Sequence, residues 1–437
     1  MKKLMGIILI IALSLSLTIL AGTEAKAAGD AWPEAPETDS GSVLMIEVNT
    51  GAVLYSKDAS TQRYPASTTK IMTCLLALEN CSLNETVTFS ENAVTLEEGS
   101  SSIDAVAGEQ MSLKDCLYGL MVASGNDCAN AIAEHVAGSV EAFADMMNAR
   151  AAEIGCTGTH FVNPHGLFDS DHYTTAEDLC KIAQVAFNNS AFCEIISHAT
   201  YTIAATNMSE QRTIESTHSM IVPNSQYYND TVVGGKTGNL PESGRCLVTL
   251  AKHSGMTVIA ICLFSPTYNG VFSDTQELLD YAFNGFSLNN ISQYENRFSY
   301  TGENAKITLD ATAQILMPSS LELSDLDSEI EFTYDMDMDE FTAASEAAGI
   351  TSRDGRHLYA IINYYYDDTF LGHINVLLDD NLEVARAQFA DITFVNVWYF
   401  IIAICSLIVI AIIISIIIRI TRKKAAMRRR RRRRVYR

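Results

Sequence analysis

Ser67 and Lys70 stand three residues apart in the stretch Pro65-Ala66-Ser67-Thr68-Thr69-Lys70, directly ahead of the apolar run Ile71 to Leu76. Three residues is just under one helical turn, so at the start of a helix the two side chains share a face and come within contact range. A serine hydroxyl is a poor nucleophile at neutral pH unless a neighbouring base takes its proton. A lysine can be that base when burial and nearby positive charge lower its pKa enough to leave it neutral. The same residues also describe an ordinary helix start with a solvated lysine, so the pair alone decides nothing.

Two further stretches give the pair company. Ser124-Gly125-Asn126 follows Leu120-Met121-Val122-Ala123 between two helical patterns, and Lys236-Thr237-Gly238 closes a β-rich run. S-x-N occurs four times, at Ser82, Ser90, Ser124 and Ser287, whereas S-x-x-K and K-T-G occur once each. The weight therefore falls on order and spacing: a hydroxyl and amine on an early helix, a polar turn in the helical region, then a basic strand edge.

The elements that must position these residues follow from periodicity. Ser42 to Val48 and Ala52 to Tyr55, around Asn49-Thr50-Gly51, read as a β-hairpin, and the helix from Ser67 ends near Asn80. From Ser112 to about Ile154 apolar residues recur at helical spacing; after the loop Asn163-Pro164-His165-Gly166-Leu167, Thr175 caps a helix to about Phe187. Tyr201 to Ala204 and Thr213 to Ile221 look extended, Thr231 to Lys236, Arg245 to Ala251 and Met256 to Phe264 read as strands, and Ser273 to Phe283 as a closing helix. Strands at both ends with helices between predict an α+β domain over residues 42–287 in which the hairpin pairs with the late strands. A composition shift near Leu288 to Glu295 precedes alternating runs that predict a small all-β domain over 298–389. His165 in its Pro/Gly loop reads as a packing or capping residue and Arg245 as a solvated residue beginning an edge strand, with a part in holding a substrate carboxylate as the alternative; Met146-Met147 and Tyr364 to Tyr366 read as packing surface.

Both ends carry targeting patterns. Residues 1–27 have the basic, apolar and small-residue regions of a secretory signal peptide, and 28–41 form a loose Pro- and acid-containing leader. Val395 to Ile418 is an uncharged apolar run long enough to span a bilayer, and 419–437 is a basic tail expected on the cytoplasmic side. These readings predict a single-pass protein of the cell membrane with its catalytic domain on the extracytoplasmic side. Fifteen of the 30 basic residues but only one of the 52 acidic ones lie in the two ends, so 28–394 carries 15 basic against 51 acidic side chains, about −36. Such a charge argues against nucleic acid or anionic lipid as a target of the exported part.

Of the ten cysteines, Cys405 falls in the apolar run and the other nine are an odd number without tight spacing. They read as reduced core residues, and with no C-x-x-C and no Cys/His cluster in sequence, no metal site is expected.

With the three motifs in this order the chain resembles the penicillin-binding, active-site-serine family, and within it the D-alanyl-D-alanine carboxypeptidases, whose middle motif takes the Ser-Gly-Asn form present here. The wording around each motif carries the resemblance further: Pro65 to Met72, Met121 to Asp127, Asn163 to Leu167 with His172-Tyr173-Thr174-Thr175, and Gly235 to Gly244 leading into Arg245-Cys246-Leu247-Val248. It covers roughly residues 40–285, and 298–389 resembles the family's trailing β domain more loosely. The resemblance implies a β-lactamase/transpeptidase-like domain, an antiparallel sheet flanked by helices with a helical subdomain. It also implies a serine peptidase that needs no cofactor and removes the terminal D-alanine from peptidoglycan stem peptides, with β-lactams as covalent inhibitors.

By the same resemblance, Ser67 forms the acyl-enzyme, Lys70 takes its proton and Ser124 relays a proton to the leaving amine. Asn126, Lys236, Thr237 and Gly238 bind substrate, and the backbone N–H groups of Ser67 and Asn239 form the oxyanion hole. The alternatives are a DD-endopeptidase, a β-lactamase of the same fold, or a non-catalytic cell-wall-binding protein. The anchor, the trailing domain and the Ser-Gly-Asn form weigh against the β-lactamase, and the intact motif residues against the binding protein.

Overall fold

The protein is described from a computed structural model, covering residues 32–292 and, beyond them, 294–295, 307–310, 312–333, 344 and 357–378. The expected signal peptide, membrane span and basic tail lie outside the described residues. Among the described residues no helix is long and apolar enough to cross a membrane.

Strand β1 (Ser42–Glu47) is apolar at four successive positions, Val43 to Ile46, and both of its faces are buried. Leu44 and Ile46 enter one hydrophobic core and Val43 and Met45 the other, as the two-residue period of a strand requires. The strand therefore sits inside a sheet. It pairs antiparallel with β2 (Val53–Lys57) on one side and β9 (Met256–Ser265) on the other. With β7 (Val232–Leu240) and β8 (Gly244–His253) the order is β2-β1-β9-β8-β7, so the hairpin joins the late strands as expected and β7 is an edge.

One core lies between this sheet and a helical region, containing Val248, Leu250, Ile259 and Ile261 together with Leu75, Leu117, Ile132 and Ile182. The other holds Leu247, Val258 and Cys262 against Phe272, Leu278 and Leu279 of the long closing helix.

The helical region consists of α1 (Lys70–Asn80), the short α2 (Glu91–Val94), α3 (Leu113–Met121), α4 (Asn126–Ala137), α5 (Val140–Glu153), α6 (Ala176–Phe187) and α7 (Ser190–Ile196), and the closing helix is α8 (Tyr268–Gly285). The helical pattern expected over 112–154, interrupted at the Ser124 turn, is three helices, because a second break separates α4 from α5. Gly138 supplies the left-handed cap of α4 at φ 83°, and Ser139 caps α5 by accepting the N–H of Ala142. Two small two-stranded antiparallel sheets accompany them, β3 (Thr86–Thr88) with β4 (Gln110–Ser112) and β5 (Thr200–Ile203) with β6 (Arg212–Glu215). The extended reading of Thr213 to Ile221 holds only to Glu215, since Ser219–Ile221 forms a 3-10 turn.

After α8 the chain continues as β10 (Phe286–Asn290), which pairs with β12 (Gln314–Pro318). The strands β11 (Ile307–Leu309), β13 (Asp327–Phe332), β14 (His357–Tyr366) and β15 (Thr369–Leu378) form a separate four-stranded sheet in the order β11-β15-β14-β13.

Candidate active site

Pro65 brings the chain into the Ser67 turn with φ −73°, and Ala66 follows at φ 48°, in the left-handed region that alanine avoids. Two glycines from elsewhere hold it there. A Cβ on Gly166 would lie 1.9 Å from the Ala66 carbonyl oxygen, and one on Gly238 would lie 3.1 Å from the Ala66 Cβ. The strained turn is thus clamped between the loop after α5 and strand β7, where only glycine lets backbone approach so closely. Ser67 itself lies in a 3-10 turn, Ala66–Thr69, rather than in the helix that begins at Lys70.

Lys70 is fully buried. Its Nζ lies 3.0 Å from Ser67 Oγ and donates to Asn126 Oδ1 at 2.7 Å and to the His165 carbonyl at 2.8 Å. Burial holds its amine well below the ordinary 10.5 and the charge of Lys236 lowers it further, while Asp127 and Cys128 oppose the shift. Lys236 is also buried, and burial lowers it to about 7. It donates to Ser124 Oγ at 3.0 Å and to the Thr237 carbonyl at 2.9 Å.

Ser124, like Ala66, is a non-glycine residue at positive φ, 61°. Its turn is fixed by the Gly125 N–H donating to the Gly119 carbonyl and the Asn126 N–H donating to the Ser101 carbonyl. Asp127, one residue into α4, is buried and accepts from the Ser102 hydroxyl at 2.6 Å and from the N–H of Ile103 at 3.0 Å and Ala105 at 3.2 Å. Those bonds hold the 101–105 segment beside the Ser124 turn.

All the residues expected from sequence meet here. Ser67, Ser124, Asn126, Thr237, Gly238 and Asn239 line one cavity of about 520 Å³, and Lys70 and Lys236 reach it through the bonds above. Arg245 lines the same cavity, with its guanidinium 5.7 Å from the Tyr268 ring, and its strand β8 is internal. This corrects its reading as a solvated residue on an edge strand.

His165 packs as expected, its imidazole Nδ1 accepting the Leu167 N–H at 3.1 Å, and burial lowers its pKa to about 3. What escaped sequence reasoning is its backbone carbonyl, which touches Lys70. Thr217, whose hydroxyl lies 2.6 Å from that of Thr237, and the lip Glu97 to Ser101 were also unforeseen; no local pattern marks them.

A sequence profile described as D-alanyl-D-alanine carboxypeptidase matches residues 30–267. The chain belongs to that family of serine peptidases. Among relatives within it, the D-alanyl-D-alanine carboxypeptidase DacF of Bacillus subtilis is 32% identical over 308 residues, covering 69% of this chain and 74% of that protein. A D-alanyl-D-alanine carboxypeptidase of Streptomyces sp. is 34% identical over 245 residues, covering 54% and 84%. The crystal structure of the Streptomyces K15 DD-transpeptidase matches at a TM-score of 0.54 with 31% identity, over 57% of this chain and 99% of that one. The family's penicillin-binding fold thus accounts for the α+β portion that carries the cavity.

Proposed function

We propose that the protein removes the terminal D-alanine of peptidoglycan stem peptides through an acyl-enzyme on Ser67. The observation that carries this reading is the set of partners around Lys70. A neutral amine has two N–H bonds, and the Asn126 oxygen and the His165 carbonyl take both. The remaining direction, occupied by the nitrogen lone pair, faces Ser67 Oγ at 3.0 Å. Lys70 can then accept the serine proton as Oγ attacks the carbonyl of the penultimate D-alanine.

The developing oxyanion is bound by the N–H groups of Ser67 and Asn239. Because Lys236 donates to Ser124 Oγ, the Ser124 hydroxyl keeps its own proton to give to the departing D-alanine nitrogen, and it is recharged from Lys70. Protonated Lys236, Thr237 and Arg245 bind the substrate carboxylate, and Asn126 the peptide backbone. Water then cleaves the ester and returns Ser67.

A second reading, supported by the description of the Streptomyces K15 structure as a DD-transpeptidase, is capture of the acyl group by an amine. Penicillins, which carry a carboxylate beside an acylating carbonyl, are expected to occupy the same site. The apolar run Val395 to Ile418 and the basic tail support a membrane-anchored enzyme acting outside the cell, and strands β11 and β13–β15 support a trailing β domain.

Purified full-length protein in detergent, incubated with an acyl-L-Lys-D-Ala-D-Ala peptide, is expected to release free D-alanine. Ser67→Ala should release none. An inactive wild-type protein that also takes up no penicillin would favour a non-catalytic wall-binding role.

A further inference from the structure

Cys81, Glu85 and His135 meet at one point of the helical region although up to 54 residues separate them in sequence. Cys81 directly follows α1, Glu85 ends the turn before β3, and His135 lies in the last turn of α4. The thiol sulfur, a carboxylate oxygen and an imidazole nitrogen all lie within 4.8 Å of one another, and all three residues are half-buried. Glu85 Oε2 and His135 Nε2 are 3.0 Å apart.

The carboxylate is held from behind. Its other oxygen accepts the Ser82 N–H at 2.6 Å, while the Glu85 and Leu83 carbonyls accept the N–H groups of Leu113 at 2.8 Å and Lys114 at 3.0 Å. An outer-shell bond that orients a carboxylate is the kind of support that ligand sites use. Sequence spacing alone predicted no metal site, because the third donor arrives only through the packing of α1 against α4.

We propose that Cys81, Glu85 and His135 bind a thiophilic divalent cation, with Zn²⁺ the ion whose preferences fit the set. One sulfur, one nitrogen and one oxygen donor suit zinc, whereas calcium and magnesium prefer oxygen alone. A tetrahedral zinc with bonds of 2.0–2.3 Å sets its ligand atoms about 3.3–3.8 Å apart, so small side-chain rotations close the trio onto an ion. Binding replaces the thiol proton with the metal, releasing one proton, and leaves a fourth position for water.

The location gives the site its consequence. Helix α1 begins at Lys70 and α4 at Asn126, the pair that share a hydrogen bond in the cavity, and both helices end at the trio. At 1.5 Å per residue the trio sits roughly 16 Å from that bond, so a cation there acts as a staple between the two helices, not as a reactant.

Full-length protein carrying a tag without histidines, stripped with EDTA under TCEP, would be titrated with ZnCl₂ against a chromogenic chelator. The expected result is one tightly held equivalent per chain and a raised melting temperature. Cys81→Ser and His135→Ala should each weaken binding at least tenfold while fluorescent-penicillin labelling stays at the wild-type level. Equal zinc uptake by wild type and both variants, or none by wild type, overturns the proposal. Should the variants fail to fold, Co²⁺ loading of the wild type decides. A thiolate-to-cobalt band with tetrahedral d–d absorption supports the site, and its absence overturns it.

Discussion

Replacing Lys236 by Met separates the function of a buried charge from its cost. Methionine keeps the length of the stem in a fully buried position and removes the ammonium. A unit charge about 4 Å from the substrate carboxylate contributes about 4 kcal/mol at an effective dielectric constant of about 20. Thr237 and Arg245 remain to hold that carboxylate, so the expected loss in kcat/KM is about 10²- to 10³-fold.

The variant also loses the hydrogen bond to Ser124 Oγ and the charge that depresses Lys70. The acid limb of the acylation profile should therefore move to higher pH. Stability should go the other way. Burial takes Lys236 from 10.5 to about 7, an interval equivalent to at most about 5 kcal/mol. Because the folded pKa lies below the unfolded one, this penalty is fully present below pH 7 and fades toward 10.5. At pH 6 the Met variant is thus expected to melt no lower than the wild type while labelling slowly with a fluorescent penicillin. Stopped-flow labelling across pH 5–9 with parallel thermal melts tests both halves. Acylation within threefold of wild type, with an unmoved acid limb, would refute the placement of Lys236.

Gly166→Ala places a Cβ 1.9 Å from the Ala66 carbonyl at φ 86°, and a shift of the serine turn should lower acylation about 100-fold and stability by about 2–4 kcal/mol, read by labelling and melts. Asn126→Ala leaves a buried Lys70 N–H without its 2.7 Å acceptor, and an acylation loss of about 10²-fold is expected; a labelling rate within threefold of wild type would contradict the lone-pair argument. Half-buried His165 and buried His172 and His218 are lowered from 6.5 to about 3, 4 and 4, so unfolding takes up protons as pH falls from 6.5 to about 4. The histidines' contribution to stability is full above that window and should drop within it by up to about 4 kcal/mol per pH unit, measured by urea midpoints; a flat midpoint would contradict the desolvation of these rings.

The three motifs that meet at the cavity were legible because the chemistry expected of them constrains residue type and spacing, and the hairpin's pairing with the late strands because apolar runs mark buried strands. Ser67 in a 3-10 turn was not legible. Nothing local asks Ala66 for φ 48°; Gly166 and Gly238, 100 and 172 residues further on, impose it. The break at the Ser124 turn was legible in the sequence, whereas the break between α4 and α5 had its signal in Gly138-Ser139, which the continuous apolar periodicity masked.

The contact of the His165 carbonyl with Lys70 left no trace in the sequence, since every residue carries a carbonyl. Arg245 was misplaced for a topological reason: β8 gains β7 as a neighbour, and its first residues face the cavity rather than an open edge. The nine cysteines outside the apolar run are all unpaired, six of them buried, in line with the reading of reduced core residues.

Ser67 Oγ is expected to supply the ester oxygen of the acyl-enzyme, with Lys70 as its base. Peptide mass mapping of the full-length protein after brief exposure to a penicillin tests it most directly. One adduct, of the mass of the intact antibiotic, is expected on the peptide containing Ser67, and none in Ser67→Ala. An adduct on Ser124, or labelling that survives in Ser67→Ala, would contradict it.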